Sequence, residues 1–180
     1  MTLVGHTLMG MTIGVVCKPK NTSPKQTAIY LVVFAFLANI PDLPLPNWGH
    51  DRYNISHSLF VTLLLLVVLI AGLVLLPIVR DRVGGWPVIT GGAMAWLSHL
   101  LLDSFYNHGR GIAIFWPFST ARLILPIPWF SVLPSIPLPF TWPIIQIFLI
   151  EFVSYFPLLL LAIWLRRSGV LYKTSKEKVL

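Results

Sequence analysis

The chain has 180 residues, 56% of them hydrophobic and only 11% charged, with a mean hydropathy of +0.80. Soluble domains carry about 25% charged residues, so this composition excludes an ordinary water-covered domain and fits one integral membrane domain over 1–180. The net charge of +7 reads as membrane topology and not as nucleic-acid binding, because the basic residues lie mostly in short loops and the C-terminal tail.

Taken in chain order, the first apolar stretch covers 3–16 and contains His6 and three glycines. Lys18, Lys20 and Lys25 follow it and no basic residue precedes it, the reverse of a secretory signal. Cys17 is the single cysteine, so no intrachain disulfide can form. A second segment, 27–40, stops at Pro41. The third, 58–79, is the clearest spanning run and is closed by Arg80, Asp81 and Arg82. The fourth, 85–103, carries Gly91, Gly92, Ala93 and Ala95, small residues that let helices approach closely. The last, 142–165, is closed by Arg166 and Arg167.

Between 107 and 141 the chain is apolar yet holds Pro117, Pro126, Pro128, Pro134, Pro137 and Pro139, which break helices. Irregular backbone does not face lipid in the hydrocarbon core. The stretch is therefore expected at the outer interface, anchored by Phe115, Trp116, Trp129 and Phe130. It serves either as an inert surface loop or as a lid or entry rim for an amphipathic substrate.

With the N-terminus outside, ten of the 13 basic residues fall on the inner side, as the positive-inside rule requires. The expectation is an all-α, polytopic helix bundle of four to five spans in the plasma (inner) membrane. Its N-terminus lies out, its C-terminus is cytoplasmic, and a Pro-rich loop lies at the interface.

Ionisable groups inside so apolar a chain are functional candidates. Under this topology His6, Asp42, His57, His99 and Asp103 all come to one depth, near the outer helix ends. His99 and Asp103 are four residues apart and share a helix face. Imidazole with carboxylate and no thiolate suits Zn²⁺, with Mn²⁺ or Fe²⁺ as alternatives. Plainer roles stand beside this one. His6 can hydrogen-bond a neighbouring helix, Asp42 can cap the Pro41 turn or pair with Arg52, and His57 can be an interfacial residue with Ser56 as the helix cap. His50, Asp51 and His108 read as solvated loop residues. Glu151, about 14 Å into the last helix, needs a partner or a proton and is placed to face the site from below.

Gly5-His6, Pro41-Asp42, Ser56-His57-Ser58, His99-x3-Asp103-x5-Gly109 and Trp116-Pro117-Phe118 follow in a recognisable order. Together they resemble the YdjM-like family of inner-membrane metal-dependent hydrolases, itself distantly similar to the zinc-dependent phospholipase C and P1 nuclease superfamily. The resemblance runs from about His6 to Ser119. It implies a helical metal site with His6, Asp42, His57, His99 and Asp103 as ligands, and hydrolysis of phosphoesters such as phospholipids. Pro44 stands where the family commonly has a second Asp, and Tyr53-Asn54-Ile55 replaces its Arg-Gly-x approach to Ser/Thr-His-Ser.

The expected activity is therefore a metal-dependent hydrolase at the outer membrane face, with Asp42 as bridging ligand or general base and Arg52 or Arg110 neutralising the phosphate. Membrane lipid is its environment and candidate substrate; neither nucleic acid nor an obligate protein partner is expected. The competing reading is a non-enzymatic membrane protein, such as a transporter subunit, ion relay or assembly partner. A relay should extend across the membrane, whereas Glu151 is the one deep carboxylate.

Overall fold

The computed structural model describes residues 2–43, 55–106, 111–125, 127–131 and 141–170. Among them the fold is all-helical: α1 (Leu3–Cys17), α2 (Pro24–Asn39), α3 (Leu59–Leu75), α4 (Pro77–Arg82), α5 (Trp86–Ser104) and α6 (Trp142–Arg167), with a 3-10 turn at Ile40–Asp42 after α2. Extended pairing among these residues is confined to one isolated bridge between Ile112 and Leu123.

Local chemistry sets the helix ends. Ser23 caps α2 by accepting from the Gln26 N–H at 3.2 Å, while the Gln26 side chain accepts from the Ser23 N–H at 2.9 Å. Pro24 occupies the first helical position, where its missing N–H costs nothing. This capping box starts the helix at Pro24, three residues before the Thr27 expected from hydropathy alone. The run expected over 58–79 is interrupted at Leu76, because Pro77 opens the separate helix α4. Ser58, not Ser56, caps α3, accepting from the Val61 N–H at 3.2 Å.

At 1.5 Å per residue, α6 with its 26 residues is about 39 Å long, more than the roughly 30 Å of a hydrocarbon core. It is the one described helix both long and apolar enough to cross a membrane on its own. Helices α1 and α3 are apolar but shorter. Helix α3 buries only Thr62 and Leu66 and turns Leu64, Val67, Val68 and Leu75 outward. Such a face is costly in water and at home in lipid.

Helix α1 is the hub of the bundle, packed on α2, α5 and α6. Against α2 it presents Gly10 and Gly14. A Cβ on Gly10 would run into the Phe34 carbonyl and come within 2.9 Å of the Ala38 Cβ, and one on Gly14 would sit 3.0 Å from the Phe34 Cβ. In a membrane, where lipid is as apolar as leucine, this close approach is itself a main source of association. Gly10→Ala is expected to push α2 away and cost about 1–3 kcal/mol, read as a lowered Tm of the detergent-purified protein; an unchanged melt would contradict this packing.

Helices α1 and α6 run parallel and are tied at both ends. At the start of α1, the Glu151 carboxylate accepts from the Thr2 N–H at 2.8 Å, the Gly5 N–H at 2.9 Å and the Thr2 hydroxyl. At its end, the Arg166 guanidinium donates to the carbonyls of Val15, Val16, Lys18 and Pro19 at 2.7–3.1 Å. An anion at the helix N-terminus and a cation at its C-terminus both oppose the helix dipole. Glu151, expected to face the site from below, is thus spent on the first turn of α1.

The described parts of the Pro-rich stretch, 111–125 and 127–131, fold back on the helix ends. The Leu59 N–H donates to the Ile114 carbonyl at 2.9 Å and Leu125 N–H to the Ser104 carbonyl at 2.7 Å, and the Ser58 hydroxyl donates to the Trp116 carbonyl. Phe130, expected as an interfacial anchor, is instead buried, stacked on Tyr106 and Tyr155 with ring centroids 4.8 and 5.8 Å apart. Phe115 and Trp129 are exposed and Trp116 is half-buried.

Candidate metal centre

Four separate pieces of backbone deliver the polar residues to one point. His6 completes the first turn of α1, and Asp42 ends the 3-10 turn that Pro41 forces after α2. His57 occupies the turn just before the α3 cap, and His99 and Asp103 share one face of α5. The cluster is buried: all three histidine side chains are fully inaccessible, Asp103 is 5% exposed, and Asp42 at 16% is its most open member.

The ligating atoms converge. His6 Nε2 lies 3.1 Å from Asp103 Oδ1 and 3.9 Å from Asp42 Oδ2. His57 Nε2 lies 3.2 Å from Asp103 Oδ2 and 3.4 Å from Asp42 Oδ1. His99 Nε2 lies 3.3 Å from Asp103 Oδ2, 3.5 Å from Asp42 Oδ1 and 3.2 Å from His57 Nε2. The His6 and His99 rings stack with centroids 3.7 Å apart. For His6, Asp42, His99 and Asp103, one ligand atom from each lies within 4.8 Å of all the others, and His57 Nε2 lies within 3.4 Å of the last three.

Second contacts fix which atoms face inward. His99 Nδ1 lies 2.8 Å from the Ala38 carbonyl. A carbonyl only accepts, so Nδ1 carries a proton and Nε2 is the atom turned to the cluster. His57 Nδ1 is held by the Ser56 hydroxyl at 2.9 Å, which likewise leaves its Nε2 facing inward. Such outer partners orient metal-ligating imidazoles. Burial by itself would raise the Asp42 carboxyl, but hydrogen bonds to His57 and His99 outweigh it and hold the group well below the usual carboxylate range. Asp42 is therefore an anionic oxygen donor at neutral pH.

Two carboxylates and three inward Nε2 atoms within a few ångströms repel one another unless positive charge lies among them. Protons on the imidazoles or a divalent cation both supply it. Three nitrogens and two carboxylates, with no sulfur, match the donor preferences of Zn²⁺ and of Mn²⁺ or Fe²⁺.

The structure thus gathers His6, Asp42, His57, His99 and Asp103. Arg52, His50, Asp51, His108 and Arg110 lie outside the described residues. Sequence reasoning missed two contributors. The Ala38 carbonyl carries no side-chain signal, and Ser56 enters the sequence reading only as a helix cap beside an interfacial His57. Comparison with known proteins adds one finding: a family model described as YdjM inner membrane protein matches residues 1–175. No curated protein and no solved structure matches the chain.

Proposed function

The chain belongs to the YdjM inner membrane protein family, and from that premise we propose a membrane-bound, metal-dependent hydrolase of phosphoesters such as phospholipids, working at the outer membrane face. The observation that carries the proposal is that ligand atoms of His6, Asp42, His99 and Asp103 lie within 4.8 Å of one another, with His57 Nε2 3.2–3.4 Å from both carboxylates. Under this reading His6, Asp42, His57, His99 and Asp103 hold a divalent cation, with Zn²⁺ first and Mn²⁺ or Fe²⁺ as alternatives.

The bound cation would lower the pKa of a water and polarise the phosphoryl oxygen. Asp42, the most open of the five, serves in this reading either as a bridging ligand or as the general base that takes the attacking water's proton. The Ala38 carbonyl and the Ser56 hydroxyl hold His99 and His57 in the ligating orientation through the reaction. Arg52 is assigned to neutralise the phosphate. An apolar cleft of about 240 Å³ between α3 and the 111–119 segment is lined by Leu59, Phe60, Leu63, Ile114, Phe115 and Phe118. It begins two residues from His57, which supports a substrate with an acyl chain.

In the same reading the bundle crosses the membrane four to five times, N-terminus out and C-terminus cytoplasmic. The parallel run of α1 and α6 supports an arrangement in which both travel from outside to inside. The non-enzymatic alternative, an ion relay, draws less support because Glu151 already satisfies three donors of α1.

The test is hydrolysis by the purified, detergent-solubilised chain, with phosphatidylglycerol and a chromogenic phosphate diester as substrates. Activity is expected to vanish on treatment with a chelator and to return on adding back Zn²⁺ or Mn²⁺. Metal-loaded protein that releases no product from either substrate would refute the hydrolase while leaving the metal site standing.

A further inference from the structure

At the far end of α1 from the histidines, a second concave feature opens between α1, α2 and α6. It is a cavity of about 610 Å³ with Lys18, Lys20, Arg166 and Arg167 on its walls, and none of the described residues lining it is acidic. Val15, Leu31 and Ile163, one from each of the three helices, form an apolar lining beside them. Counting from His6 to Lys18, it lies about 18 Å along the α1 axis from the candidate metal centre.

We propose that this cavity binds an anionic phospholipid by its phosphate headgroup, on the inner side of the membrane. Charges that merely set topology are expected to spread outward into water, whereas these four surround one space. Burial and the charge of Arg166 lower the Lys18 amine, so the cluster is electrostatically crowded and gains from a bound anion. The first turn of α2 contributes Thr27 to the wall and adds the positive end of that helix.

The apolar lining and the volume favour a lipid over a free phosphate. Inorganic phosphate fills a small part of 610 Å³ and gains nothing from Val15, Leu31 and Ile163, whereas a glycerophospholipid places its phosphate among the cations and its upper chains against those three. Depth agrees as well, because Arg166 and Arg167 stand where the apolar run of α6 ends, and basic pockets between helices at that level suit anionic headgroups. The site does not rest on the hydrolase reading, since it shares no residue with the candidate metal centre.

The experiment is native mass spectrometry of the full chain in a zwitterionic detergent, with phosphatidylglycerol and phosphatidylcholine supplied in equal amounts. Wild type is expected to retain phosphatidylglycerol about tenfold or more over phosphatidylcholine. The double variant Lys20→Gln, Arg167→Gln, both at exposed positions, should lose most of that preference. The charge-preserving pair Lys20→Arg, Arg167→Lys should keep it, and excess inorganic phosphate should fail to displace the lipid. Equal retention of the two lipids, an unchanged preference in the Gln pair with an unchanged melt, or displacement by inorganic phosphate would each overturn the proposal.

Discussion

His99→Ala and Asp103→Ala are each expected to lower divalent-metal affinity by about 100-fold or more, so that the purified variants carry little metal. Outer-contact losses alone typically cost 10–100-fold, and these two residues stand inside that shell. His99 offers Nε2 to the cluster while its other nitrogen is committed to the Ala38 carbonyl. Asp103 lies 3.1–3.3 Å from all three imidazole nitrogens and is the carboxylate that holds them together. Ser56→Ala supplies the graded control. It takes the hydroxyl from His57 Nδ1 while leaving every proposed ligand in place, and should cost roughly tenfold. Elemental analysis of matched preparations decides the matter. If both alanine variants retain metal at the wild-type ratio, the cluster is a hydrogen-bonded polar core and the proposed chemistry has no centre.

The second large effect is expected far along the chain from any proposed ligand. Glu151→Leu keeps the volume of a fully buried side chain but strips three donors of α1, the Thr2 and Gly5 N–H groups and the Thr2 hydroxyl, of their acceptor. Hydrogen bonds to a charged group contribute about 1.5–3 kcal/mol each, so a loss on the order of 3 kcal/mol or more is expected. Because His6 directly follows Gly5, loosening that turn should also weaken metal binding. Glu151→Gln keeps one acceptor oxygen and should recover part of both losses. A Glu151→Leu protein with wild-type Tm and wild-type metal content would show that the first turn of α1 is held by other means.

How much was legible beforehand follows from what each feature leaves in a sequence. His6, Asp42, His57, His99 and Asp103 stood out because polar residues are conspicuous in a chain with 11% charge, and the i, i+4 spacing of His99 and Asp103 reports a shared face. Their orientation was not legible. The partner of His99 is a backbone carbonyl on another helix, which looks the same at every position. Hydropathy alone places the start of α2 too late, because the signal there is the capping chemistry of Ser23-Pro24-Lys25-Gln26. In the sequence Arg166 has only the look of a topological charge that ends a span. Its reach across to four carbonyls at and just beyond the end of α1 depends on the parallel register of two helices far apart in sequence, and no local pattern encodes that.

The fastening of α1 by α6 also carries a consequence for biosynthesis. The first helix leaves the ribosome long before the residues that secure it, so its opening turn and its last carbonyls must wait for Glu151 and Arg166 to be translated. His6, Asp42, His57, His99 and Asp103 will all have been made by then, yet the nascent chain lacks the strut that sets His6 in register. The ties of α1 are thus complete only once α6 is in place. A chain released before Glu151 carries every candidate ligand and still lacks the clasp that steadies the first of them.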